Sequence, residues 1–80
     1  MPKLELYGTS RCPYTQDLRE WLEWNGRHFE EYDVEEDAAA LSRMQGSTGQ
    51  WAVPVLIEDG AVVQIGWQGR VCVVAGDGKA

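Results

Sequence analysis

The sequence predicts an α/β domain, ordered strand, helix, strand, helix, strand, strand, with a small mixed sheet flanked by helices. Three observations carry this. Lys3 to Tyr7 (KLELY) alternates polar and apolar residues over its first four positions, as a strand does, and a helical pattern follows from Pro13 to Asn25. A further strand-like run after that helix makes a βαβ unit, which implies a parallel pair joined by a right-handed crossover. Near the other end, WAVPVLIEDGAVVQI places two β-branched runs on either side of Asp59-Gly60, the strongest hairpin signal in the chain.

Each element has its own local reason. Gly8 and Thr9 open a loop after the first strand. Pro13 suits the first helical position, where its missing N–H would have no partner anyway. Leu18, Trp21, Leu22 and Asn25 fall on one helical face and are expected to pack inward, with Asp17, Glu20 and Glu23 largely off it. Gly26 is the expected stop. His28 to Val34 reads as the second strand. Glu35 to Gln45 reads as the second helix, with acids in its first turn, Ala38, Leu41 and Met44 to bury, and Gly46, Ser47 and Gly49 to break it. Pro54 stands at the start of the third strand, where proline is tolerated. After Ile65 the text is too short and glycine-rich for a full helix, so the last helix is expected to be short or missing. One domain is expected over residues 1–75, with 76–80 a flexible tail.

Composition narrows the function. The chain has 80 residues, 44% of them hydrophobic and four of them tryptophan, enough for one marginal core. A formal net charge of −6, with Lys and Arg scattered, argues against nucleic acid and anionic membranes as partners. No apolar run approaches the ~18 residues of a membrane span. No signal peptide follows the Met-Pro-Lys start, and two cysteines are not a secreted disulfide framework, so a reducing, cytoplasmic setting is expected. No Cys/His cluster has zinc spacing, and no metal is expected.

The chemistry centres on RCPYT, residues 11–15. As N-cap of the first helix, Cys12 would face unpaired backbone N–H groups and the positive end of the helix dipole. Both favour thiolate over thiol and lower a cysteine pKa below its free value of about 8.5. Arg11 adds positive charge if its side chain turns toward the sulfur. Pro13 and Tyr14 would hold the turn and shield one side. Thr15 either donates its hydroxyl to the thiolate or merely fills the helix. The sulfur is expected to lie open to an incoming disulfide. The competing reading is a small inert residue at a loop–helix junction.

TSRCPYTQDLREWLEWNGRHFEEYDVEED resembles the front half of a glutaredoxin, and TGQWAVPVLIEDG resembles that family's Val-Pro segment. The resemblance covers residues 3 to about 69. It implies a thioredoxin-like fold and thiol–disulfide exchange with glutathione as co-substrate. Cys12 would be the nucleophile. Val53-Pro54 would carry a cis bond, with the Val53 backbone exposed to pair an extended peptide such as glutathione. Partners would be glutathione and glutathionylated or disulfide-bearing proteins, and the protein a monomer or weak homodimer.

The departures from the family pattern matter. Thr15 stands where dithiol glutaredoxins have a second cysteine, which implies a monothiol cycle in which a second glutathione releases the first. Cys72, sixty positions from Cys12, is the candidate resolving thiol; between valines it reads equally well as apolar filler, and Cα separation decides. Thr9 and Ser10 replace the usual lysine, and GWQGRV lacks the usual acid. Gln50, Trp51 and Arg70 are the candidate replacement contacts for glutathione, beside Val53, Pro54, Gly66 and Gly69; the competing readings are that Trp51 packs a rim and Arg70 is a solvated loop charge. GWQGRV also resembles small redoxins that serve ribonucleotide reductase. The Cys-x-x-Thr motif with a late cysteine is similar to a bacterial group that often carries selenocysteine at the active position.

Two other cycles follow from these residues. One is a dithiol cycle through Cys72, fed by a thioredoxin-reductase-like partner. The other is carriage of a [2Fe–2S] cluster by a glutathione-bridged dimer, although Pro13-Tyr14 departs from that group's Cys-Gly-Phe-Ser. His28, a helix away from Cys12, is not expected to take part, and the acids from Glu30 to Asp37 read as solvated charge. Trp24 and Trp67, if exposed, would mark a partner surface or a lid.

Overall fold

A computed structural model describes residues 3–74. Its elements are β1 (Leu4–Gly8), α1 (Pro13–Trp24), β2 (Glu30–Asp33), α2 (Ala38–Thr48), β3 (Ala52–Val53), β4 (Val55–Glu58), β5 (Ala61–Ile65) and β6 (Cys72–Val73). Four strands form one sheet in the order β2-β1-β4-β5, and β3 and β6 form a separate two-stranded ladder. β1 pairs in parallel with β2 and antiparallel with β4. This is a thioredoxin-like arrangement, with a mixed sheet and two helices. The expected tail, residues 76–80, lies outside the described residues.

The sheet separates two apolar clusters, and strand alternation decides which residue joins which. Leu4 and Leu6 of β1 and Leu56 of β4 meet Leu18 and Leu22 of α1. Tyr7, Val55 and Ile57 point the other way and meet Ala40 and Met44 of α2. β4 is therefore buried on both faces, which suits its unbroken apolar run Val55-Leu56-Ile57. Fully burying a leucine such as Leu18 or Leu22 contributes about 1.5–3 kcal/mol.

Some local expectations shift. The buried stripe of α1 is Thr15, Leu18 and Leu22. Trp21 stands 43% exposed at its margin, tilted against Trp67, and Asn25 is exposed. α2 starts three residues later than its composition suggests, because Asp37 acts as N-cap and accepts from the Ala40 N–H, leaving Glu35 and Glu36 in the preceding turn. Ala40 is buried in place of Ala38. Gly46 and Ser47 do not break α2; it runs to Thr48 and stops at Gly49, which takes the left-handed φ of 72°. A glycine inside a helix costs only about 1 kcal/mol, which tertiary packing overrides. The hairpin turn falls on Asp59-Gly60, with φ of 51° and 83°. Two positive φ values suit the right-handed twist of the flanking strands.

One contact at the end of β1 is unusually tight. A Cβ on Gly8 would stand 2.2 Å from Cγ2 and 2.9 Å from Cβ of Thr15. Thr15 is β-branched and buried, so it has nowhere to swing. Gly8→Ala should therefore destabilise the fold by about 3 kcal/mol, the upper part of the overpacking range. Adding Thr15→Ala should recover only part of this, since the Cβ remains. Urea denaturation checks both; a wild-type midpoint for Gly8→Ala would refute the contact.

Candidate active site

Cys12 is the N-cap of α1, with extended backbone (φ −86°, ψ 115°) and Pro13 immediately inside the helix. Its N–H reaches the Thr9 carbonyl at 3.4 Å, and its carbonyl accepts from Gln16 at 3.2 Å. The N–H groups of Tyr14 and Thr15 lie in the first turn and have no intrahelical acceptor. The N-cap position expected for Cys12 is thus present. Its partner was not settled by sequence: Cys12 is joined to Cys72 in a disulfide, with Cα atoms 6.0 Å apart.

The sulfur is not open as expected. Cys12 is 2% exposed, within the cluster that holds Val53, Val55 and Val74, while Cys72 is half-buried against it. The strand carrying Cys72 causes this. β6 runs antiparallel to β3, with Cys72 opposite Val53 and Val73 opposite Ala52. The Val74 N–H then donates to the Trp51 carbonyl at 2.8 Å. Val53-Pro54 is cis, as the family resemblance implied. The Val53 edge, which that resemblance leaves free for a peptide, is already paired.

A cleft of about 180 Å³ lies over the disulfide, lined by Thr9, Arg11, Cys12, Glu35, Cys72, Val73 and Val74. Arg11 reaches this cleft, but its guanidinium binds the Glu35 carboxylate. That pair raises the Arg11 pKa, by hydrogen bond first and charge second. The cation expected to serve the sulfur is thus shared with an acid. Glu35 read from sequence as solvated charge; only the return of the chain after β2 brings it to Arg11.

Thr15 does not bond the sulfur in this state. It is 1% exposed and its hydroxyl has no hydrogen-bond partner among the described residues. A buried unpaired hydroxyl is costly, so Thr15→Val should raise the stability of the oxidised protein by about 1 kcal/mol, read from its urea midpoint. If the hydroxyl serves the thiolate after reduction, the same variant shifts the pH profile of Cys12 alkylation upward.

The remaining site residues divide. Pro13 is exposed, and Tyr14 packs against the cluster around Cys12. Val53 and Pro54 are buried, Val53 paired with Cys72 of β6. Gly66 is buried, and its N–H donates to the Pro54 carbonyl at 2.7 Å. Trp67 and Arg70 exchange backbone hydrogen bonds around Gln68-Gly69, a tight turn that sends the chain back toward β3. Gly69 and Arg70 therefore shape the return path, while Gln50 and Arg70 are exposed and outside the cleft's lining. His28 lies with Lys3, Leu4, Phe29 and Glu30 in another hollow. Trp24, 89% exposed, and Trp67, half-buried, line a broader groove of about 560 Å³ with Asp17, Glu20, Trp21 and Glu23; neither cysteine belongs to it. Among the described residues, no three His, Cys, Asp or Glu side chains stand close enough to hold a metal ion.

A cysteine at the first turn of a helix, paired to another beside a Val-Pro strand on a thioredoxin-like sheet, defines a redox protein. The Glutaredoxin family model matches residues 4–63. The chain belongs to the glutaredoxin family. It is 36% identical to the thioredoxin-like protein BC3987, with a TM-score of 0.75 over 82% of this chain and 89% of that one. It is similar also to the glutaredoxin of Archaeoglobus fulgidus, at 26% identity and a TM-score of 0.73 over 85% and 78% of the two chains. A buckwheat glutaredoxin solved in complex with glutathione shares the fold, at 18% identity and a TM-score of 0.68, over 81% of this chain and 61% of that one. No curated protein sequence matches the chain.

Proposed function

We propose that the protein is a thiol–disulfide oxidoreductase that cycles between a Cys12/Cys72 dithiol and the Cys12–Cys72 disulfide. The observation that carries this is the bond itself, made between sulfurs whose backbones stand 6.0 Å apart, inside the range a disulfide spans. In the reduced protein the first-turn N–H groups of α1 stabilise a Cys12 thiolate. That thiolate attacks one sulfur of a substrate disulfide, and the other sulfur leaves as a thiolate and is protonated by water. The Cys72 thiolate then attacks the Cys12 sulfur of the mixed disulfide. The second substrate thiol departs, and the two electrons given to substrate leave the protein oxidised.

Regeneration runs through the more accessible sulfur. An incoming thiolate attacks Cys72, because Cys12 is covered, and Cys12 leaves as the thiolate its helix favours. A second thiol releases the first as its disulfide. Glutathione is the reductant we assign, on family membership. The monothiol cycle implied by Thr15 is the second reading, and Thr15 three residues after Cys12 is what favours it.

Incubation of the reduced protein with oxidised glutathione, followed by intact and peptide mass measurement, tests the choice. Loss of two protons, with Cys12 and Cys72 in one linked peptide pair, is expected. A stable glutathione adduct on Cys12 beside a free Cys72 would return the protein to the monothiol cycle. No modification of either cysteine would end both readings.

A further inference from the structure

We propose that β6 is a resident occupant of the substrate edge, and that substrates enter by exchanging their own strand for it. The preferred substrate is then an extended protein segment with an apolar residue two positions after its cysteine. This rests on the redox reading above. Its observations are separate: the register of β6, and the unequal burial of its side chains.

Cys72 lies opposite Val53 and Val73 opposite Ala52, so the backbone that could receive an extended cysteine peptide is bonded to this chain's own cysteine strand. The ladder is short, two residues long, plus the Val74 N–H to the Trp51 carbonyl. It is separate from the main sheet, so it can leave without breaking the four-stranded ladder. While it stays, Cys12 is 2% exposed and no substrate disulfide reaches it. Attack on a substrate therefore requires β6 to move off. Resolution requires it to return, so strand displacement and thiol displacement become one event.

Side-chain burial along β6 gives the selectivity. Val74, two residues after Cys72, is 5% exposed and belongs to the core cluster. Val73, one residue after, is 81% exposed, and Val71, one before, is 41% exposed. Recognition by strand pairing reads alternate side chains, and here the position it reads is the second after the cysteine. Glutathione has one residue after its cysteine and cannot fill that position.

The test uses the full chain carrying Cys72→Ser, so that Cys12 holds a mixed disulfide. The variant is first loaded with oxidised glutathione, so that Cys12 carries a glutathione mixed disulfide and one glutathione thiol leaves. It is then equilibrated with the thiol peptide acetyl-Gly-Cys-Gly-Val-Gly-amide, or with acetyl-Gly-Cys-Val-Gly-Gly-amide, each exchange releasing glutathione, and the adducts on Cys12 are counted by mass. The first peptide should displace glutathione about tenfold better than the second, the effect of burying one valine side chain. Adding Val74→Ser weakens the resident strand and should raise peptide capture further. Equal capture of both peptides and glutathione would overturn the proposal while leaving the redox reading intact. Unchanged capture with Val74→Ser would also overturn it. Absence of any adduct on Cys12 would refute both. The peptide comparison needs only Cys72→Ser, so it holds even if Val74→Ser fails to fold.

Discussion

Cys12→Ser should reduce thiol–disulfide exchange to the uncatalysed background with every substrate, whereas Cys72→Ser should fail only where no outside thiol is supplied. The asymmetry follows from position. Cys12 is the N-cap of α1, at the positive end of its dipole; Cys72 lies on a two-residue strand with no such support. A serine hydroxyl does not ionise at neutral pH, and its oxygen cannot form the mixed disulfide. With Cys72→Ser the first attack proceeds and the intermediate waits for glutathione. Stoichiometric reduction of a protein disulfide, followed by acid quench and mass measurement, separates the cases. Wild type should give free product and a linked Cys12–Cys72. Cys72→Ser should accumulate the mixed disulfide on Cys12. Product release by Cys72→Ser at the wild-type rate, with no added thiol, would show that Cys72 resolves nothing.

Reducing the disulfide should lower the free energy of unfolding by about 4 kcal/mol, because it closes a loop with a sequence separation of 60. The bond acts mainly on the unfolded chain, whose freedom it restricts. For a domain of this size the loss corresponds to a fall in Tm on the order of 20 °C. Urea curves of oxidised and reduced wild-type protein supply the comparison, with Cys72→Ser as the permanently open form. The reduced protein should keep its two-state transition, since neither α-helix nor the four-stranded sheet depends on β6 for its ladder. A difference below about 1 kcal/mol would mean that the unfolded chain is already compact around this pair.

The Tyr7–Tyr32 stack shows how an edge strand such as β2 is tied down although its burial is slight. The rings lie 5.1 Å apart, and the Arg43 guanidinium stands over both, 5.0 Å from the Tyr32 centroid. No alternation in HFEEYDV foretold this, because the partners come from β1 and α2.

Local signals were readable wherever a residue's role depended on its neighbours in the chain. Pro13 at the first helical position and Asp59-Gly60 in the hairpin are of this kind, and so is Cys12 as cap. Each follows from backbone geometry over a few residues. What packing decided was different. It carried α2 through Gly46, buried Thr15 against Gly8 and turned Trp21 toward solvent. Above all, the tertiary structure decided what covers the reactive sulfur. Sequence placed a thiol at a helix mouth and a second among valines. Only the return of the chain through Gly66 and the Gln68-Gly69 turn laid Cys72 opposite Val53 and over Cys12. A contact between residues so far apart in sequence leaves no mark in either local pattern, because its energy is shared with the whole fold that brings them together.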